Sequence, residues 1–205
     1  MRKNILNSPQ TAIYKDKGSK FLAFAWPVKS EEEIRMHIDQ LKKEHFGARH
    51  WCYAWRLGET GENYRANDDG EPAGSAGRPI LAALDAQTLS DIIVVVVRYF
   101  GGTLLGVRGL INAYGGAAEM ALVQAEIVPM PIPRSLVVQM GFEQLAEVQK
   151  VVNDIQFKPT TVDYGESTVQ MYFEADIDRI EQLTDRLHRI YGVNLKPETD
   201  ELAEN

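Results

Sequence analysis

Hydrophobic residues recur with two different periods along this chain, and the changes between them predict its elements. Ala12–Lys17 and Lys20–Val28 read as two strands joined by a turn at Lys17-Gly18-Ser19. Ser30-Glu31-Glu32-Glu33 is a capping box: the Ser30 hydroxyl can accept from the Glu33 amide while Glu33 reaches back. Ile34, Ile38 and Leu41 then follow at helical spacing, which predicts a helix running to Gly47. His50–Leu57 reads as an aromatic-rich strand, and the aperiodic polar stretch Gly58–Gly70 as a loop. Ser75–Ala86 predicts a short helix with Ser75 as its cap and Pro79 in its first turn. Asp91–Phe100 contains four consecutive valines, so neither face is polar and the strand is expected to be buried on both sides. Gly101-Gly102 turns the chain into a helix from about Gly106 to Glu126.

Pro129-Met130-Pro131-Ile132-Pro133 interrupts the pattern. Alternate prolines remove amide donors and fix φ, which predicts an extended, stiff linker over 129–133 between domains 1–128 and 134–205. Beyond it the order is strand (Ser135–Met140), helix (Glu143–Asp154), strand (Phe157–Tyr164), strand (Ser167–Phe173), helix (Ile177–Ile190) and strand (Val193–Lys196). Gly165 sits at the hairpin turn. This βαββαβ order is the ferredoxin-like pattern, so the chain reads as α+β with two domains.

Charge sharpens that division. The net charge is −7. Residues 1–130 hold 15 Lys and Arg against 15 Asp and Glu, whereas 131–205 hold 7 against 14, so the second half carries the whole excess. An acidic second half opposes approach to a phosphate backbone, and plain nucleic-acid binding by the entire chain is disfavoured. Cys52 is the only cysteine, which excludes an intrachain disulfide and a multi-thiolate zinc site and fits a reducing, cytoplasmic setting. Ile92–Val97 is too short an apolar run to cross a bilayer, and no signal-peptide apolar region follows Arg2 and Lys3.

Three constellations carry candidate chemistry. In the first, Asp68-Asp69-Gly70-Glu71 leads through a glycine-rich stretch to Arg78-Pro79. Glycines let backbone approach a ligand closely, and the carboxylates could hold a cation, although the spacing matches no calcium loop. A solvated loop capping a helix is the plainer reading. The second runs from Arg98-Tyr99 through Gly101-Gly102 to Arg108-Gly109, between a buried strand and a helix. Amides at a helix N-terminus attract anions, but the spacing fits neither a Walker loop nor a dinucleotide fingerprint. A tight turn with close packing is the alternative. Arg98, ending a valine strand, needs a partner, and Asp68, Asp69 or Glu71 can supply one. In the third, Trp51, Tyr53 and Trp55 share one face of a strand and His50 and Cys52 the other. The aromatics could stack bases but more often form core. His50 and Cys52 side by side lack the third group of a nucleophile–base set. Tyr114-Gly115-Gly116, inside a helix, reads as close packing.

Taken in order, Ala48-Arg49-His50-x-Cys52-x-Ala54-Trp55, Asp68 to Pro79, and Val95-Val96-Val97-Arg98-Tyr99-Phe100-Gly101-Gly102 to Tyr114-Gly115-Gly116 resemble the IMPACT / YigZ family. The resemblance covers essentially the whole chain. It implies a first domain folded like domain 2 of ribosomal protein S5 and a second like domain V of elongation factor G. The eukaryotic relative is a translational regulator with a different accessory domain, so its partner does not transfer. For this chain the resemblance implies a non-enzymatic, translation-linked binding protein that contacts RNA, the ribosome or a translation protein through domain one. Catalytic residues, a metal and a cofactor are not expected, nor is a membrane or DNA specificity. The alternatives are an enzyme acting on a small phosphorylated or peptidic ligand at the Asp68–Glu71/Arg98 surface, and a pure protein–protein adaptor. The candidate contact residues are Arg49, His50, Asp68, Asp69, Gly70, Glu71, Arg78, Arg98, Tyr99, Gly101, Gly102 and Arg108. Arg56 is a further arginine available to phosphate.

Overall fold

The computed structural model describes residues 3–197; Arg2 of the basic N-terminus and the end of the expected second domain, 198–205, lie outside them. The chain divides between Met130 and Pro131 into two compact units. In the first, chain order is β1 (Asn4–Leu6), β2 (Gln10–Asp16), β3 (Ser19–Pro27), α1 (Glu31–Glu44), β4 (His50–Leu57), β5 (Asn63–Asn67), α2 (Gly77–Ala86), β6 (Ile92–Tyr99), α3 (Gly106–Val123) and β7 (Ile127–Pro129). The second holds β8 (Pro133–Gly141), α4 (Leu145–Asp154), β9 (Thr161–Tyr164), β10 (Thr168–Asp176), α5 (Ile177–Leu187) and β11 (Asn194–Pro197). The whole is a mixed α+β structure.

The first unit is built on a five-stranded antiparallel sheet in the order β2-β3-β6-β4-β5. The valine strand β6 lies at its centre, and Ile92 through Val97 are fully buried because both sheet faces are covered. Strand alternation sorts the side chains. Phe21, Ala23, Cys52, Ala54, Val94 and Val96 pack with α2 and α3. Trp51, Tyr53, Trp55, Val95 and Val97 pack on the other face with Ile34, Ile38 and Leu41 of α1. The aromatic stripe of β4 is therefore core, and Trp51 Nε1 donates to the Leu41 carbonyl at 3.3 Å.

Local rules account for most boundaries. Ser30 Oγ accepts from Glu33 N at 3.2 Å, and Glu33 reaches back to the Lys29 amide at 2.9 Å, one residue earlier than a standard capping box. Two expectations are corrected. The stretch Gly58–Gly70 is not all loop, because β5 forms the sheet's edge there, pairing only with β4. Its side chains are largely exposed, so no apolar period announced it. Ser75 does not cap α2: the N-cap is Ala76, and the Ser75 hydroxyl, though buried, has no partner among the described residues.

In Pro129-Met130-Pro131-Ile132-Pro133 the two amides that prolines leave, those of Met130 and Ile132, are each anchored within a unit. Pro129 lies opposite Asn4 in the β1–β7 ladder, and Met130, 4% exposed, donates to the Lys3 carbonyl at 2.9 Å. The Ile132 amide donates to Asp176 Oδ2 at 2.9 Å. Pro133 already opens β8. In this second unit β8, β9, β10 and β11 form an antiparallel sheet in the order β11-β8-β10-β9, and α4 and α5 contribute to its core. One apolar cluster fills it, with Phe157 meeting Phe173 edge to face at 5.1 Å.

Candidate functional site

Arg98 and one of the expected carboxylates, Glu71, meet at one end of the first sheet, on the face covered by α2 and α3. Strand register places Phe21 of β3, Arg98 of β6 and His50 of β4 side by side. The loop between β5 and α2 folds over this row. Asp69 (φ 42°) and Gly70 (φ 86°) both adopt left-handed backbone, which glycine takes freely and aspartate tolerates. The turn aims two consecutive carbonyls at β4: the Cys52 thiol donates to the Asp68 carbonyl at 3.0 Å, and His50 Nδ1 lies 2.8 Å from the Asp69 carbonyl. The Asp69 carboxylate accepts from the Trp51 amide at 2.7 Å.

Asp68 works on the other side of the loop. Its Oδ2 accepts from Gly74 N, and its Oδ1 from the Ala76 and Gly77 amides, at 2.8–3.0 Å. The cap of α2 thus comes from eight residues upstream of Ala76, in place of Ser75. Burial would raise the Asp68 pKa. The Gly74, Gly77 and Ala76 amides and the Arg78 guanidinium outweigh it and hold the carboxyl below its ordinary value.

Glu71 is the partner that Arg98 requires. Its Oε1 accepts from Arg98 Nη1 at 2.6 Å and from the Tyr114 hydroxyl at 2.7 Å, and both acidic and basic side chains are nearly excluded from solvent. The Arg98 guanidinium carbon also lies 5.5 Å from the Phe21 ring centre and 5.6 Å from that of Phe100. Arg98 Nε is buried with no acceptor among the described residues. Tyr114 belongs to this cluster although its Tyr-Gly-Gly setting suggested packing alone. Its spacing from Leu110, Ala117 and Ala121, all inward on α3, was the available signal. The neighbouring glycines do serve packing: a Cβ on Gly116 would crowd Tyr14, and one on Gly115 would touch Pro79.

His50 Nε2 stands 4.0 Å from Glu71 Oε1. A carbonyl only accepts, so His50 Nδ1 carries a proton, and in the neutral ring Nε2 keeps its lone pair. Burial pushes the Cys52 thiol well above its usual range, the nearby Glu71, Asp69 and Asp68 charges adding to this against a hydrogen bond with Tyr114, so it stays protonated at neutral pH. Burial likewise raises the Tyr114 phenol. Cys52 and His50 therefore do not form a nucleophile–base pair.

Above the cluster opens a cleft of about 470 Å³. Arg49, His50, Glu71 and Arg98 supply its polar lining, and Pro72, Phe100, Leu104, Leu105, Val107 and Leu110 its apolar walls. Sequence reasoning did not select these apolar residues, which come from three places: Pro72 from the β5–α2 loop, Phe100, Leu104 and Leu105 from the aperiodic turn before α3, and Val107 and Leu110 from α3 itself. Phe100, Leu104 and Val107 are 54%, 83% and 53% exposed. The remaining candidates lie apart from the cleft. Arg78 and Arg108 are exposed and do not line it. Tyr99 faces α1 and hydrogen-bonds His45 Nδ1 at 3.0 Å. Gly101 lies against the β2–β3 turn, where any side chain would collide with the Gly18–Ser19 backbone, and its amide donates to Ser19 Oγ at 3.1 Å. Gly102, at φ 87°, supplies the turn that follows. Arg56 is engaged by Asp85, the Gly61 carbonyl and the Tyr64 ring. No group of three or more His, Cys, Asp or Glu side chains is placed to hold a metal among the described residues. No described helix is long and apolar enough to cross a membrane.

Comparison with known proteins places this architecture. A model of the Impact N-terminal domain matches residues 17–122, the stretch that contributes every residue of the cleft. The IMPACT family member YvyE of Bacillus subtilis is 36% identical over 149 residues, covering 73% of this chain and 69% of its own. The family member YigZ of Escherichia coli is 34% identical over 159 residues, covering 77% and 78%. A crystal structure of a hypothetical protein superposes with a TM-score of 0.66 at 29% identity, covering 98% of this chain and all of that one. With the family domain spanning the buried cluster and two bacterial members matched over most of their length, the chain belongs to the IMPACT family.

Proposed function

We propose that this chain is a non-enzymatic, translation-linked binding protein that contacts a translation-related protein through the cleft of its first unit. The observation that carries the reading is the contrast across the cleft. The charged groups in its floor are spent on one another, Glu71 on Arg98 and Tyr114, while exposed Phe100, Leu104 and Val107 form its rim. Apolar groups exposed beside a rigid polar floor suit a protein partner. The stacking surface that an RNA-binding strand would need, Trp51, Tyr53 and Trp55, packs against α1 instead. The link to translation rests on the family resemblance. It extends to a first unit folded like domain 2 of ribosomal protein S5, a ferredoxin-like second unit like domain V of elongation factor G, and a cytoplasmic setting.

Capture from lysate, with and without ribonuclease, tests this reading. A partner protein is expected to stay bound after ribonuclease and to be lost with Leu104→Asp. Capture that ribonuclease abolishes, with Leu104→Asp behaving as wild type, would overturn it in favour of RNA. One observation favours an enzyme acting on a small peptidic or phosphorylated ligand: His50, oriented by its Nδ1 contact with the Asp69 carbonyl, lines the same cleft. A His50→Ala variant that keeps partner capture argues against that second reading.

A further inference from the structure

We propose that the cleft captures the C-terminal carboxylate of a polypeptide whose last residue is large and apolar; the proposal rests on the binding role above and specifies the partner's chemistry. Three features of the same lining favour an anionic group. First, α3 is an 18-residue helix whose N-terminus has no side-chain cap and no acidic residue in its first turn, and Leu105, Gly106 and Val107 of that terminus line the cleft. Its free amides and dipole favour a negative charge. Gly106, at φ 72° with open space around it, turns the chain there without covering these amides. Second, the Arg98 side chain in the cleft floor is only 8% exposed, and its Nε has no acceptor among the described residues. A buried donor without a partner marks a place where a partner belongs. Third, Arg49 stands exposed on the same lining.

The charge balance selects the kind of anion. Arg98 is offset by Glu71, leaving Arg49 as the arginine without an acidic partner among the lining residues. That balance matches a single carboxylate better than a polyphosphate. The walls select what is attached to it. Phe100, Leu104, Leu105, Val107 and Leu110 surround the lining with apolar surface, enough for one leucine- or phenylalanine-sized side chain beside the anion. Leu104 and Phe100 continue this surface outside the cleft, where further residues of an incoming chain would lie. Backbone amides gathering a terminal carboxylate, with a pocket for the last side chain, is a known mode of peptide recognition.

The test is titration of the purified full chain with acetylated tetrapeptides ending in leucine, phenylalanine or serine, each as free acid and as amide, followed by methyl NMR shifts of Leu104 and Val107. The apolar-ended acids are expected to bind at least about tenfold more tightly than their amides, and than the serine-ended acid. Arg49→Gln should weaken acid binding several-fold, Leu104→Asp should abolish it, and Val123→Asp, at the far end of α3, should leave it unchanged. All three positions are exposed, so folding is checked simply by the thermal melt. Equal binding of acid and amide, or binding of isovalerate as tight as that of the leucine peptide, would overturn the proposal. If no peptide shifts these methyls while Leu104→Asp still loses the captured protein from lysate, the chain-end proposal falls and the wider binding role stands.

Discussion

The two units bury opposite kinds of interior. Among the described residues every buried polar or charged side chain, namely Ser19, Glu71, Ser75, Ser90 and Arg98, lies in the first. The second encloses only apolar groups such as Val138, Met140, Phe173 and Leu183. An apolar core needs only volume and pattern, and tolerates many sequences. A buried ion pair must be satisfied atom by atom and gives little net stability against an apolar substitute. The pair lies at the cleft, and no such pair is buried among the described residues of the second unit.

The contrast is most sharply broken at Arg98 and Phe173. Arg98→Ala strands Glu71 and should cost about 3–5 kcal/mol, as should Phe173→Ala through the cavity it leaves. Tryptophan fluorescence separates the two, since Trp26, Trp51 and Trp55 all lie in the first unit: the first variant should lower that transition, the second should leave it in place. The double change Arg98→Leu with Glu71→Leu should cost less than Arg98→Ala alone. A double variant equally destabilised would mean that the pair itself, rather than the stranded charge, matters.

Next in size is Asp68→Ala, expected to cost about 2–4 kcal/mol in denaturant unfolding, because three backbone amides lose their charged acceptor. Acid gives the same information. The folded-state pKa of Asp68 is depressed, so its contribution is complete above the ordinary carboxyl range near pH 4 and is lost as pH falls through the lower folded value. The wild type should therefore lose more first-unit stability below about pH 4 than Asp68→Ala does, and parallel acid melts of the two proteins would count against the cap. Tyr114→Phe removes one hydrogen bond to Glu71 and should cost about 1–2 kcal/mol by the same measurement. Leu104→Asp should change stability by less than about 0.5 kcal/mol yet remove binding, the smallest effect on the fold joined to the clearest one on function.

Much of this was legible in the chain. Strand and helix periods located the principal elements to within a few residues, and the valine run identified the sheet's central strand because a strand covered on both faces has no polar positions. The need of Arg98 for a carboxylate followed from burying a charge. Which of three acids would serve did not, because Asp68, Asp69 and Glu71 lie within four residues and only the left-handed turn at Asp69 and Gly70 separates their roles. Asp68 caps a helix, Asp69 holds β4 and Glu71 alone reaches the arginine. Edge strand β5 was hidden for the opposite reason: it buries almost nothing, so pairing is its only signature. The cleft was equally hidden. Its floor is assembled from β4, β6 and the loop over them, and its walls from Pro72 and from the irregular turn at 100–105 with the first turns of α3, two places that are not neighbours along the chain. Periodicity reports which side of an element is buried, a property of neighbours along the chain. The meeting of Arg98, Glu71 and Tyr114, separated by up to 43 residues, depends on strand register and helix placement, which only the packed tertiary structure decides.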